Sequence, residues 1–241
     1  MKTYLSAGVL AIALAGVMTA CTSAPDMPMD GKSSAVAPPA AMTAAAPVTP
    51  PAAVVAESPP PPAMEVGKEM LASITLPASN VQKMTVSTPG WPDGGDIDFK
   101  YTQYETNTFP GLTWTAGPAA TKSYAIIMQD TDLVMRGSPV LHWSVVNIPA
   151  SVTKLAPGMT PEQIPAGSIY GPNYKGMTQP YLGPRTPPGA KHRYHIQVLA
   201  LDTMLPTDFA PKNYAELIEP LKGHVIGVGD VVGLGQEKKA S

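Results

Sequence analysis

Beyond residue 66, the hydrophobic pattern of the chain consists of short apolar runs separated by Gly, Pro and Asn. The runs are rich in Val, Ile, Thr and aromatic side chains, which favour β-strands, and their spacing is typical of an all-β sandwich. The predicted strands cover residues 74–79, 83–88, 96–104, 112–117, 123–130, 141–148, 193–202 and 224–234. One stretch, residues 212–223, has the pattern of a helix, with Pro211 before it and Gly223 placed to cap its end.

The first 20 residues have a different pattern, in which Lys2 precedes an apolar run over residues 5–17. The run is shorter than the roughly 20 residues that a membrane-spanning helix needs, so residues 1–20 are predicted to be an export signal. The sole cysteine, Cys21, ends the sequence VMTAC, which resembles a bacterial lipobox. We therefore expect Cys21 to be lipidated and to attach the protein to the membrane by its acyl chains. The alternative is an ordinary signal peptide that is cut nearby and leaves a free thiol.

Residues 21–66 form a Pro- and Ala-rich segment that contains eleven of the 29 prolines and few large apolar side chains. Such a segment cannot bury enough surface to offset the entropy of ordering it, so it is predicted to be a disordered tether with a reach on the order of 100 Å. Residues 67–241 then form one folded domain. Thr22 rather than Asp after the cysteine favours the outer membrane, so we expect a lipid-anchored protein of the bacterial cell envelope that faces the periplasm or the surface.

Composition and motifs narrow the possible functions. The net charge of −2 gives no strong basic field, so no nucleic acid partner is expected. The sequence contains no G-x-S-x-G, H-E-x-x-H or P-loop motif. Two histidines and an aspartate pair are chemically able to bind a metal, but the close spacing of metal ligands is absent. We expect no metal, no other cofactor and no enzymatic activity.

Polar residues at strand ends are the candidates for chemistry. Asp130 and Asp132 follow the apolar run of a predicted strand, and strand alternation places both carboxylates on one face if the strand continues that far. The alternative is turn chemistry, which Asp-x-Asp also favours. His142 begins another strand, where a lone histidine often has a structural role.

The segment HRYHIQV brings two more histidines to the start of a strand. In an extended chain, His192 and Tyr194 share one face, while Arg193 and His195 share the other. If the first face meets His142, two imidazoles and the aspartate pair converge on one pocket.

Four stretches, taken in order, resemble the phosphatidylethanolamine-binding protein family, and in particular its bacterial Raf-kinase-inhibitor-like branch. The stretches are FPGLTWTAGPAATKSYAIIMQDTD, LHWSVVNIPASVTKL, YLGPRTPPGAKHRYHIQVLALD and LKGHVIGVGDVVGLG. The resemblance covers residues 74–235. It implies an all-β sandwich of a large and a small antiparallel sheet with one or two short helices. It also implies a small anion-accepting pocket, whose ligand-binding residues would be Asp130, Asp132, His142, Tyr181, Gly183, His192 and Tyr194.

The resemblance further implies a non-enzymatic binding protein for an anionic, phosphate-like or phospholipid-headgroup-like ligand. The loop at Gly183 would present backbone N–H groups, and protonated imidazoles would add further donors. The alternatives are an inhibitor of an envelope or secreted protease, with a protein partner in the envelope, and a weak hydrolase. The loop is one residue longer than is usual in the family, which places Arg185 near the pocket mouth.

Overall fold

The structure is a computed structural model that describes residues 65–77 and 80–238. The predicted signal peptide, Cys21 and the tether up to residue 64 lie outside the described residues. Within the described residues, no helix is both long and apolar enough to cross a membrane. Two helices and ten strands follow one another as α1 (Ala72–Thr75), β1 (Gln82–Lys83), β2 (Val86–Ser87), β3 (Gly95–Asp96), β4 (Leu112–Trp114), β5 (Ser123–Met135), β6 (Ser138–Pro149), β7 (Lys154–Leu155), β8 (Ile169–Tyr170), β9 (His192–Leu201), α2 (Tyr214–Ile218) and β10 (Val225–Gly235).

The two sheets confirm the predicted sandwich. The larger sheet has the order β1-β10-β9-β5-β6-β8, with β3 also paired to β10, and the smaller sheet has the order β2-β4-β7. The pairing is antiparallel except at β1 and β3, which are two residues long and run parallel to β10. The larger sheet is therefore built mainly from its long antiparallel strands.

Both faces of the larger sheet are buried. One face packs on the smaller sheet through a core that includes Trp91, Trp114 and Trp143. The other face lies under α1 and α2, where Leu199 and Leu217 belong to a second core. A strand buried on both faces needs a nearly continuous apolar run, which explains the sequence of β5.

Two predicted strands are wrong. Residues 72–75 form α1 instead of leading into a strand, because the first N–H groups of this helix donate to the side-chain oxygens of Gln129 and Gln197. Residues 99–101 form a 3₁₀ turn that Asp98 caps by accepting from the Lys100 N–H. In both places a hydrogen bond to a side chain outweighs the β-propensity of the local sequence.

The predicted helix over residues 212–223 is confirmed but is shorter and less regular than expected. Asn213 caps α2 by accepting from the Glu216 N–H at 3.0 Å, and residues 219–221 continue as a 3₁₀ turn that contains Pro220. Gly223 follows with a φ of +78°, the left-handed conformation expected of a helix-capping glycine.

Irregular pairing between β5 and β6 shapes the region where the candidate residues lie. Met128 pairs with Trp143 and Gln129 pairs with Leu141, so His142 is the extra residue of a β-bulge. Asp130 pairs with Val140 and Val134 pairs with Pro139, which leaves residues 131–133 outside the regular register. Bulges redirect side chains next to functional sites, and both of these adjoin Asp130.

Asn147 gives a direct test of how the end of β6 is held. Its side chain is 1% exposed and bonds both the N–H and the carbonyl of Leu205, at 2.8 and 2.9 Å, while its φ is +59°. We expect Asn147→Ala to lower the free energy of unfolding by about 2–4 kcal/mol, because two buried backbone groups lose their partners and alanine disfavours this φ. The exposed helix cap Asn213→Ala is the control, with an expected loss of about 1 kcal/mol. Equal losses in denaturant unfolding would contradict this account.

Candidate functional site

The carboxylate of Asp130 is the centre of a buried polar group at one end of the larger sheet. Its side chain is 3% exposed, and Oδ2 lies 2.8 Å from His192 Nδ1. Oδ1 accepts from the Asp132 N–H at 3.0 Å. The charge is thus held by donors from two adjacent strands.

His192 is the candidate residue best placed to act as a cationic donor. Its bond to Asp130 raises the pKa of the imidazole, and partial burial opposes this effect without cancelling it. The side chain is 12% exposed, more than that of Asp130. Since Nδ1–H donates to Asp130, protonated His192 retains Nε2–H as a second donor for a ligand.

His142 has the opposite electrostatic character. It is 4% exposed, and burial lowers the pKa of its imidazole more than the nearby Asp130 charge raises it. Nδ1 lies 3.2 Å from the carbonyl oxygen of Gly183. A carbonyl only accepts, so neutral His142 carries its proton on Nδ1 and presents Nε2 as an acceptor.

Gly183 holds the loop against this group through its backbone. Its carbonyl accepts from Gln103 Nε2 at 2.7 Å as well as from His142, and its N–H donates to Asn107 Oδ1 at 2.8 Å. A Cβ at Gly183 would lie 2.1 Å from the carbonyl oxygen of Tyr101, so no larger residue fits. The N–H of Gly183 is therefore already paired with Asn107.

Tyr194 packs against His142 and contacts the loop that follows Gly183. Its ring meets His142 edge-on with centroids 5.1 Å apart, and its hydroxyl lies 3.0 Å from Thr186 Oγ1. Burial raises the pKa of this phenol, which therefore stays neutral. The neighbouring Arg185 is exposed and stacks over the ring of Tyr104, so its position is on the outside of the lengthened loop.

The structure thus brings five of the candidate residues together. We call them the Asp130 cluster, which consists of Asp130, His142, Gly183, His192 and Tyr194. The other two candidates have different surroundings. The Asp132 carboxylate bonds the backbone N–H and the guanidinium of Arg193, because the bulge interrupts strand alternation. Burial raises the pKa of Asp132, and Arg193 counteracts this effect.

Tyr181 belongs to the aromatic core. Its ring packs against Phe109 and Trp143, and its hydroxyl donates to the carbonyl of Tyr101 at 2.9 Å. Tyr181 therefore supports the loop that contains Gly183 from the side of the core.

Three residues that position the Asp130 cluster were not among the candidates chosen from the sequence. Asn107 and Gln103 hold Gly183, and the ring of Tyr174 lies 5.1 Å from that of His142. Asn107 and Tyr174 lie outside the predicted strands, and Gln103 lies in a predicted strand that the structure does not form. Their contacts with Gly183 and His142 join residues 32 to 80 positions apart in the sequence. The left-handed φ of Asn107, +52°, had no signature in the local sequence.

The prediction that Arg193 and His195 face away from His192 is confirmed. His195 Nδ1 lies 2.6 Å from Asp230, and Nε2 lies 2.7 Å from Glu65. Although burial lowers its pKa, these two carboxylates raise the pKa of His195. Among residues 65–77 and 80–238, no group of three or more His, Cys, Asp or Glu side chains is arranged to hold a metal ion.

Comparison with known proteins agrees with this architecture. The profile of the family described as phosphatidylethanolamine-binding protein matches residues 87–236. A UPF0098 protein of Methanothermobacter thermautotrophicus is 35% identical over 153 residues, which are 63% of this chain and 97% of that protein. The crystal structure of Escherichia coli YbcL, described as a member of the mammalian PEBP family, has a TM-score of 0.59 and 28% identity, and the match covers 64% of this chain and 99% of YbcL.

A third relative bears on location. LppC of Mycobacterium tuberculosis, described as a candidate lipoprotein, is 32% identical over 141 residues, which are 58% of this chain and 66% of LppC. The family profile begins at residue 87, so the N-terminal segment of this chain lies outside the region that it matches.

The bond between Asp130 and His192 predicts a specific pH dependence. The pKa of His192 is raised above the value of about 6.5 expected in the unfolded chain, so its stabilising contribution is complete below about pH 6.5 and is lost as pH rises through the folded-state pKa. We expect Asp130→Asn to lower the His192 pKa, as read from the ring C–H signals in an NMR titration.

The matched control is Asp202→Asn, which removes the exposed carboxylate 2.8 Å from His224 and should leave His192 unchanged. A His192 pKa at or below 6.5 in the unmodified protein, or one insensitive to Asp130→Asn, would contradict the assignment.

Proposed function

The chain belongs to the phosphatidylethanolamine-binding protein family, and we propose that within this family of binding proteins its ligand is a small anion that carries a phosphate group. The ligand would bind at the Asp130 cluster, on the side where His192 is exposed. Inorganic phosphate, a phosphomonoester and a phospholipid headgroup share this chemistry. In this proposal, Asp132 and Tyr181 remain in the ligand-binding set as residues that support the cluster.

The observation that carries this proposal is the difference between the two imidazoles. The bond to Asp130 biases His192 towards the cation, which offers Nε2–H, whereas burial biases His142 towards the neutral ring, which offers an acceptor at Nε2. A singly protonated phosphate has both an acceptor oxygen and a donor hydroxyl, so it complements the pair. Sulfate has no proton to donate and would fit less well.

The arrangement also supports a role without catalysis. A general base needs a free lone pair within reach of the proton that it removes. The Asp130 oxygens already accept from His192 and the Asp132 N–H. Asp130 is therefore engaged as the partner of His192, whereas Nε2 of His142 keeps a lone pair, and the phosphoester experiment below decides between binding and turnover.

We further propose that the domain is displayed from the bacterial envelope. A signal peptide over residues 1–20, lipidated Cys21 and a tether to residue 66 would attach the domain 67–241 to a membrane, most simply the outer membrane. The description of LppC as a candidate lipoprotein supports this arrangement. A protein partner in the envelope, such as a protease that the domain inhibits, is the alternative function that the following experiment is designed to separate.

The ligand proposal predicts saturable binding of inorganic phosphate and phosphoethanolamine to a fragment of residues 56–241, followed through the ring signals of His142 and His192 near pH 6. We expect His192→Ala to weaken phosphate binding by about 1.5–3 kcal/mol, the typical contribution of a hydrogen bond to a charged group. Phosphate should bind more tightly than sulfate at equal ionic strength.

The matched control is His224→Ala, because His224 pairs with Asp202 at the same 2.8 Å distance but is exposed on another part of the surface. Equal affinity in His192→Ala, or a preference for sulfate, would overturn the ligand assignment and leave the protein-partner alternative. Release of phosphate from phosphoethanolamine would overturn the non-enzymatic assignment.

A further inference from the structure

A separate cavity of about 570 Å³ lies between the tip of the β5–β6 hairpin, the turn after Asn173 and the start of α2. Its volume is within the range of about 300–1,000 Å³ that is usual for small-molecule sites. We call it the hairpin–helix cavity. It lies by the second core, to which its wall residue Leu141 belongs, whereas the Asp130 cluster lies by the core between the two sheets. Tyr174 and Val140 line the cavity and also contact the cluster, Tyr174 through the ring of His142 and Val140 through its strand pairing with Asp130.

The walls of the hairpin–helix cavity are largely apolar. Met135, Pro139 and Leu141 line it from the hairpin, and Ala215 and Ile218 line it from the helix. Met135 is 45% exposed, an unusual exposure for a large apolar side chain beside a cavity. An apolar ligand body would remove this surface from water.

The charged residues in the wall are both cations. Arg136 and Lys212 line the cavity, whereas none of its described lining residues is Asp or Glu. The nearest acid on α2, Glu216, already accepts from the Lys212 N–H and the Asn213 side chain, at 2.9 and 2.8 Å. Within residues 65–77 and 80–238, neither Arg136 nor Lys212 has a carboxylate partner within 4 Å. An anionic head group would complement them.

Asn173 adds an independent sign of a ligand with an acceptor. It lines the cavity and is 6% exposed, and its Oδ1 accepts from the N–H groups of Lys175 and Met177. Its Nδ2 is buried and has no acceptor in the described part of the chain. Buried donors in native proteins are nearly always paired, so an acceptor from a ligand would satisfy this amide after a small rotation of the side chain.

From these contacts we propose that the hairpin–helix cavity binds a carboxylate with an aliphatic chain, such as a medium-chain fatty acid. The chain packs between Leu141 and Ile218, and the carboxylate lies at the mouth between Arg136 and Lys212, within reach of Asn173. This site is independent of the phosphate site proposed at the Asp130 cluster.

The hairpin tip fixes the position of Arg136. Only two residues connect β5 to β6, and both have positive φ, +53° at Arg136 and +79° at Gly137, as in a type I′ turn. Asparagine is favoured at the first of these positions. Arg136→Asn therefore removes the charge while keeping the turn.

The test compares three probes of equal chain length, octanoate, 1-octanol and octyltrimethylammonium, on the fragment of residues 56–241 by NMR. We expect saturable shifts of the backbone signals at Leu141, Ala215 and Ile218, with octanoate binding most tightly and the cationic probe not binding. Arg136→Asn and Lys212→Gln should each weaken octanoate on the order of fivefold, and should change 1-octanol little, because each removes one partly exposed charge pair.

Two further variants control for non-specific effects. Ala215→Trp should fill the cavity and abolish binding of both octanoate and 1-octanol, whereas Lys154→Gln, an exposed cation on β7, should change neither. His192→Ala should leave octanoate binding intact, which separates this site from the phosphate site. The proposal is overturned if octanoate gives no saturable shifts at these positions, or if it binds no more tightly than 1-octanol and ignores both charge variants.

Discussion

The buried charge of Asp130 is the constraint on which the candidate site depends. A carboxylate that is 3% exposed is tolerable when donors surround it, because an unpaired buried charge is strongly destabilising. Two donors meet this need, the Asp132 N–H from the bulge in β5 and His192 Nδ1–H from β9. The irregular register of β5 is therefore what allows one strand to supply both the charge and one of its partners.

This charge contributes to a difference in protonation between the two histidines of the Asp130 cluster. His192 bonds Asp130 directly and is biased towards the imidazolium form, whereas His142 is buried against the carbonyl of Gly183 and is biased towards the neutral form. Polar groups whose surroundings push their protonation states apart are common at functional sites. The cluster thus offers one donor and one acceptor without any rearrangement, which favours a ligand that is itself partly protonated.

The sequence was most informative where hydrophobic patterning and motif order agreed. Periodicity or the family resemblance was enough to predict several features. These are the long strands β5, β6, β9 and β10, the helix near residue 214 and the shared face of His192 and Tyr194. The helix over residues 72–75 was not predictable, since distant glutamines accept from its first N–H groups. The direction of Asp132 and the occupied N–H of Gly183 depend on a bulge and on Asn107, neither of which local sequence specifies.

The central claim, that Asp130 and burial set opposite protonation states in the two histidines, is tested most directly by a long-range ¹H–¹⁵N spectrum of the imidazole rings at pH 6.5. An unperturbed histidine is half protonated at about this pH. We expect the ring nitrogens of His192 to have shifts nearer those of a protonated ring than a half-protonated histidine shows, and His142 to have a protonated Nδ1 and an unprotonated Nε2. Two rings in the same state, or the reverse pattern, would contradict it.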